Sequence, residues 1–297
     1  MTAVVPVEET VRWYPNADVV LNLEFADEHE RLTVRTTGIG SSDINIILGD
    51  SRWQTPLELW EVKTGRTPID TTTSEAAEWG QALEPVIARK FSQRHDCRIV
   101  NLPFVLARRD KPWHRASPDS GVEFYARPTL VEIKCRDQYG WDSIDPAVYD
   151  QVQWQLHVTG LDDAYIVVLF RGREMPPPWP VRRDQERIDY LIEKVDEFWG
   201  YVQLDEPPPP MPTDTRRLTP ADGQKVADND ILAKVTVLDE WKELADAAKA
   251  VADEAADELR LSLVDHDELV DADGNRLYTY RMSEKTGRRT LRKVARR

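Results

Sequence analysis

The chain of 297 residues is 41% hydrophobic and 31% charged, and its 53 acidic against 39 basic residues give a formal net charge of −14. That leaves room for one substantial domain with appendages or two small ones; no run approaches the roughly 18 apolar residues of a membrane span, and the start, MTAVVPVEETVRWYPN, lacks a signal peptide's basic flank and apolar stretch, so a cytoplasmic protein without membrane contact is expected. Two cysteines, Cys97 and Cys135, exclude a disulfide framework, a four-cysteine zinc site and a cysteine-ligated iron–sulfur cluster.

Residues 1–30 read as irregular and acidic. The organised part opens with Thr36-Thr37-Gly38-Ile39-Gly40-Ser41-Ser42-Asp43, a turn and helix cap followed by Ile44, Ile46, Ile47 and Leu48. Pro56 suits the first turn of a helix through Leu57, Leu59, Trp60 and Val62. Over about 75–95, Trp79, Leu83, Val86, Ile87 and Phe91 recur at three-to-four spacing, which predicts a helix that Pro85 kinks or delays. Strand-like segments follow at about 99–106, 113–118, 121–126 and 129–135. A helix over 146–159 ends at Gly160, the apolar run 165–170 is a strand, and an amphipathic helix covers 184–203. Helices alternating with strands in this order predict an α/β fold with a mixed sheet.

Pro207 to Pro212 (PPPPMP) reads as a stiff spacer of polyproline type. Beyond it comes a helix from about 224 to 262, rich in Ala, Asp, Glu and Lys. Asp271-Ala272-Asp273-Gly274-Asn275 then turns a hairpin between Leu269-Val270 and Leu277-Tyr278-Thr279-Tyr280. A calcium-loop reading of that turn fails, because a glycine at position six would put Leu269 and Tyr280 at ligand positions one and twelve. Lys285, Arg288, Arg289, Arg292, Lys293, Arg296 and Arg297 crowd the end of the chain, as a solvated tail or as a DNA contact.

Chemistry concentrates at Ala116-Ser117-Pro118-Asp119-Ser120-Gly121 and, thirteen residues after Asp119, at Val131-Glu132-Ile133-Lys134. Glu-x-Lys occurs three times, at Glu61, Glu132 and Glu240. Around Glu132 alone do apolar and polar residues alternate, so a strand turns Val131 and Ile133 one way and Glu132 and Lys134 the other. Asp119 and Glu132 are hard oxygen ligands suited to Mg²⁺ or Mn²⁺, and Lys134 can offset charge on a phosphoryl oxygen. This is the set a metal-dependent nuclease needs. The same residues also fit an exposed Glu–Lys pair on a sheet with Asp119 opening a turn. Glu84 could add a carboxylate from the helix before, or be a solvated helix residue. Gln151 and Gln153 could orient substrate or simply mark a polar helix face. Asp142 and Asp145 read as loop and cap residues, and Cys135 as a small buried residue. Gly-x-Ser-x-Gly, a Walker loop and a Rossmann fingerprint are absent. The net negative charge opposes nucleic-acid binding, although a metal site must itself be locally acidic.

Taken in order, the stretches at 37–66 (TGIGSSDINIILGDSRWQTPLELWEVKTGR), 79–85 (WGQALEP), 115–121 (RASPDSG), 131–135 (VEIKC) and 149–169 (YDQVQWQLHVTGLDDAYIVVL) resemble the lambda-type phage recombination exonucleases. These are the YqaJ-like branch of the PD-(D/E)XK nuclease superfamily. The resemblance implies a restriction-endonuclease-like α/β core, a central mixed sheet flanked by helices, over residues 31–205. Residues 1–30 would precede it, 206–223 would be a Pro-rich linker, and 224–297 a helical extension with a β-hairpin and basic tail. It implies that Glu84, Asp119, Glu132 and the backbone carbonyl of Ile133 bind one or two Mg²⁺ or Mn²⁺ ions. Lys134 would be the catalytic lysine, Gln151 the helix glutamine reaching the site, and Arg35, Ser41 and Ser42 the grip on a 5′-phosphate. The implied activity is exonucleolytic digestion of linear double-stranded DNA, 5′→3′, leaving single strands for recombination in a phage-infected or prophage-carrying cell. A single-strand annealing partner and a ring-shaped trimer belong to the same implication. Related nucleases often have Tyr four residues after that glutamine, where this chain has Gln155. An endonuclease of the same fold, or a non-catalytic DNA-end-binding protein, stays open on the residues.

Overall fold

The main sheet has six strands in the order β1 (Ala3–Val4), β3 (Ile99–Asn101), β6 (Ser120–Phe124), β7 (Arg127–Arg136), β8 (Asp163–Phe170) and β9 (Trp179–Arg182). β7 and β8 run parallel, with Glu132 opposite Ile166 and Lys134 opposite Val168, while β6 is antiparallel to β7. The sheet is therefore mixed, as expected. A parallel pair needs a crossover, and helix α5 (Pro146–Thr159) supplies it. Asp145 caps its start, its carboxylate accepting from Ala147 N at 2.9 Å, and Gly160 at φ 84° ends it. The computed structural model describes residues 3–4, 13–70, 72, 74–124, 127–137, 143–216, 218, 225–283 and 287–294. Asp142, Lys285, Arg296 and Arg297 lie outside them.

Alternation along β7 and β8 feeds two cores. Leu130, Ile166 and Val168 pack with Val152, Trp154 and Leu156 of α5 and with Leu191, Val195 and Phe198 of α6 (Gln185–Leu204). Val131, Ile133 and Val167 pack with Ile87, Ala88 and Phe91 of α4 (Glu75–His95). α4 is capped by Ser74 and continuous through Pro85, so the proline does not delay its start. Glu132 and Lys134 consequently face α5. Gly121 has a packing reason, since a Cβ there would stand 2.3 Å from the Trp13 indole.

A second, antiparallel sheet joins β2 (Ala17–Asn22), β4 (Phe104–Arg108) and β5 (Arg115–Ala116). It corrects two expectations. Residues 17–22, read as irregular, form a strand beside buried Trp13 and Tyr14. The segment 99–106 is two strands in two sheets, broken at Pro103, which has no N–H for a continuing ladder. The helices on this side are α1 (Glu28–Thr36), α2 (Ile44–Ile47) and α3 (Pro56–Lys63), the last with Thr55 as cap and Pro56 at its first turn.

A buried polar cluster ties the sheets to α6. Asp196 accepts from Trp113 Nε1 at 3.2 Å, is paired with Lys111, and lies 2.9 Å from His114 Nε2. His114 Nδ1 lies 3.0 Å from His157 Nε2. The carboxylate needs a donor, so His114 carries its proton on Nε2 and accepts from His157 on Nδ1. Burial lowers His114 to about 4, against the opposing pull of Asp196. Burial, then Arg108, lowers His157 to about 3. Both folded values lie below the unfolded value of about 6.5, so the unfolded chain takes up protons first as pH falls. Stability is therefore whole above about pH 6.5 and is lost on acidification toward the folded values. At about pH 5 the loss reaches about 2 kcal/mol per histidine. Urea midpoints at about pH 7 and pH 5 check this; His157→Gln should flatten the dependence, and an unchanged slope would oppose it.

The chain divides into two compact units, 1–219 and 220–297. The Pro-rich segment belongs to the first. Pro208 and Asp214 are buried, and the Asp214 carboxylate accepts from Thr55 Oγ1 and from Met211 N, both at 2.7 Å. In the second unit, α7 (Asn229–Ser262) precedes a three-stranded antiparallel sheet of β10 (Glu268–Val270), β11 (Arg276–Met282) and β12 (Arg289–Lys293). β12 corrects the reading of the basic end as a tail. Arg289 is drawn inward because its guanidinium lies over Tyr280 and donates to the carbonyls of Leu263, Val264 and His266 just past α7. Among the described residues, no helix is long and apolar enough to cross a membrane.

Candidate active site

Asp119 stands just before β6, where the β6–β7 ladder ends at the Ser120–Val131 pair. Its Oδ2 accepts the N–H of Ile133 at 2.8 Å, doing for that amide what a further strand residue would have done. The N–H and C=O of one strand residue point to the same edge, so the Ile133 carbonyl faces the Asp119 side as well. Glu132 comes next on β7, with 0% of its surface exposed. Its Oε1 accepts from Gln151 Nε2 at 2.8 Å and pairs with Lys134 Nζ, which also donates to Gln151 Oε1 at 3.1 Å. Its Oε2 accepts from Gln155 Nε2 at 2.7 Å. Asp119, Glu132, Lys134 and Gln151 are thus brought together.

The exposed Glu–Lys pair left open by the sequence is excluded. Strands in parallel pairs are covered on both faces, and α5 covers this one. Glu84 reaches the group from α4, on the opposite face, closely enough to feel Glu132 and Lys134. Burial, then the Glu132 charge, raises its pKa, with Lys134 opposing. Burial raises Asp119 well above the usual carboxylate range, and the charges of Glu132 and Glu84 add to this. Burial works against the Lys134 ammonium, but Glu132 and Asp119 outweigh it and raise its pKa. Three carboxylates share one ammonium, an excess of negative charge that a divalent cation would relieve. The donors are all hard oxygens, which fits Mg²⁺ or Mn²⁺. The expected ligand set is not closed, however: among the described residues no three Asp, Glu, His or Cys side chains surround one point at metal-binding distance. Both Glu132 oxygens and Asp119 Oδ2 are instead taken by protein donors.

Arg35, Ser41 and Ser42 line a cavity of about 400 Å³ together with Arg115, Ser117 and Gln151. Lys63 braces its wall. Its side chain is 3% exposed, and the ammonium bonds Asp43 Oδ2 (2.7 Å) and the carbonyls of Arg35 (2.6 Å) and Gly38 (2.8 Å). The Glu61-Val62-Lys63 copy of the motif is therefore structural. Ser41–Asp43 is a 3₁₀ turn before the four-residue α2, and the Gly40 N–H is already bonded to Asp43 at 3.0 Å. So short a helix has little macrodipole, which leaves Arg35 and the hydroxyls to carry any anion contact. Gln153 turns away, bonding Arg182 O and Asp184 N. Cys135 is half-buried rather than buried.

Sequence reasoning missed Gln155 and Ser117. Gln155 lies four residues after Gln151 and hence on the same helix face, a spacing that could have placed it at Glu132. Its own Oε1 is buried without a hydrogen-bond partner, which costs roughly 1–3 kcal/mol.

Residues 30–162 match the YqaJ-like viral recombinase domain. Over 192 residues the chain is 32% identical to the uncharacterized protein YqaJ of Bacillus subtilis (strain 168), covering 62% of this chain and 59% of that protein. The alkaline exonuclease LHK-Exo from Laribacter hongkongensis superposes with a TM-score of 0.50 at 18% identity, over 60% of this chain and 93% of the exonuclease. The matched segment carries every residue of the site described above, and the chain shares the fold of that exonuclease.

Proposed function

We propose that the protein is a metal-dependent exonuclease that digests linear double-stranded DNA from a 5′ end, with residues 31–205 as the nuclease domain. One observation carries this reading: Gln151 bonds both Glu132 and Lys134 and also lines the cavity holding Arg35, Ser41 and Ser42. The proposed hydrolytic centre and the proposed anion pocket would therefore share a wall. Glu84, Asp119, Glu132 and the Ile133 carbonyl would hold one or two Mg²⁺ or Mn²⁺ ions, which supply Lewis-acid charge at the scissile phosphate. Lys134 offsets charge growing on the phosphoryl oxygens, and Gln151 fixes where that ammonium points. Arg35 and Ser42 hold the terminal phosphate, which sets the end of the strand against the carboxylates. The 5′→3′ polarity, a single-strand annealing partner and a trimeric ring are extended from family likeness alone.

The reading is tested with purified protein and Mg²⁺ on linear and covalently closed duplex, with and without a 5′-phosphate. Linear DNA should be consumed and circular DNA spared, and the 5′-phosphate should accelerate loss about tenfold or more, an effect that Arg35→Ala removes. Cutting of closed circles would make the protein an endonuclease of the same fold.

A further inference from the structure

A second cavity, of about 570 Å³, shares Arg35, Ser42 and Asp43 with the anion pocket. Ile46, Leu59, Val62 and Ile69 give it apolar walls, and Trp53 stands at its rim with 94% of its surface exposed. The indole sits on a braced turn. Ser51 Oγ accepts from Trp53 N at 3.2 Å and from Gln54 N at 3.3 Å, and the next residue, Thr55, is tied to Asp214 at 2.7 Å. A tryptophan held open to water beside an apolar hollow leaves a large aromatic face without a partner.

The charges around the hollow decide what it can take. Lys63 is committed to Asp43 and to two carbonyls, while Glu58 and Asp70 accept from Thr55 N and from Thr72. Among the described residues of its lining, Arg35 is the cation left, and Arg35 also belongs to the anion pocket. A second phosphate would meet carboxylates here. A flat, uncharged aromatic group would meet apolar walls and an indole to stack on. A nucleotide joins those two requirements through one sugar, with charge at the phosphate and a π-face at the base.

We propose that this cavity is a nucleobase subsite, in which Trp53 stacks on the base of the 5′-terminal nucleotide whose phosphate Arg35 and Ser42 hold. The proposal rests on the nuclease reading above and on its 5′-phosphate grip. It makes the terminal base, as well as the terminal phosphate, part of what the protein recognises.

The test is Mg²⁺-dependent loss of a hairpin duplex whose single 5′ end carries one unpaired nucleotide, so that no base pair has to open. Three ends are compared: phosphorylated thymidine, a phosphorylated abasic sugar, and thymidine without phosphate. The full-length wild type should digest the thymine end with a kcat/KM at least about fivefold above that of the abasic end. Trp53→Ala should treat those two ends alike, mainly through a higher KM, and keep its preference for the phosphate. Trp53→Phe should retain part of the difference. Equal kcat/KM for the two phosphorylated ends in the wild type, or a difference that survives Trp53→Ala, overturns the subsite. A Trp53→Ala protein that fails to fold also overturns it, since the indole would then be structural. No Mg²⁺-dependent loss, or loss indifferent to the 5′-phosphate, removes the reading beneath the proposal, and the wild type alone shows this before any variant is compared.

Discussion

Lys134→Met should lose at least about 10³-fold in Mg²⁺-dependent digestion of linear duplex while binding the duplex within about threefold of wild type. The lysine is held in place rather than merely nearby. Its ammonium pairs with Glu132 Oε1 and donates to Gln151 Oε1 at 3.1 Å, and the side chain is 19% exposed. Such a group adds little to capturing a polyanion, which depends on accessible cations, while under the proposed function it would offset charge developing on the reacting phosphate. Methionine has nearly the same shape, so the carboxylate keeps Gln151 and Gln155 as donors. The stability cost should stay at about 1–3 kcal/mol, below that of stripping a buried charge of all its partners. Single-turnover digestion at saturating protein, beside a binding titration, separates the effects. A loss confined to binding would move Lys134 out of the chemistry. Lys134→Arg should recover little, because a planar fork does not replace a point charge at that spot.

Asp119→Asn should be as inactive as Lys134→Met and yet, in EDTA, more stable than wild type by on the order of 1 kcal/mol. Asparagine can still accept the Ile133 N–H through its oxygen. What it removes is a charge disfavoured by burial and by Glu132 and Glu84. The sign follows from the direction of the shift. A folded pKa above the unfolded one means the folded state holds its proton longer, so the penalty is absent below about pH 4 and grows as pH rises through the folded value. The gain should therefore be present near neutral pH and vanish in acid. Added Mg²⁺ should reverse the order, because an ion that binds only the folded wild type stabilises it in proportion to the logarithm of its concentration. Urea melts with and without Mg²⁺ check both halves. An Asp119→Asn protein that is much less stable in EDTA would make the carboxylate a structural cap of the β6–β7 ladder and nothing more.

The centre was legible where local rules decide structure. Strict alternation at Val131–Lys134 gave the strand and its two faces, and the cap at Asp145 and the stop at Gly160 marked helix ends that the fold retains. Less was legible where the partner is remote in sequence. Burial of Glu132 follows from α5 closing over a parallel pair, which β7 alone does not announce. Gln155 looked like a departure from a family pattern, and its contact is clear only when the helix lies on the sheet. The split at Pro103 and the strand at 17–22 were missed because their pairing partners are about 90 residues apart in sequence. At the end of the chain, basic composition suggested a tail, while Arg289 gains more from the bare carbonyls beyond α7 than from solvent.

The central claim is that the Asp119–Glu132–Lys134 centre hydrolyses DNA phosphodiesters with a divalent ion. Its most direct test is release of acid-soluble nucleotide from uniformly labelled linear duplex, with Mg²⁺ or with EDTA, by wild type and by Lys134→Met prepared in parallel. Release that requires Mg²⁺ and falls at least about 10³-fold in the variant is the predicted result. No Mg²⁺-dependent release by the wild type, or equal release by both proteins, would contradict it.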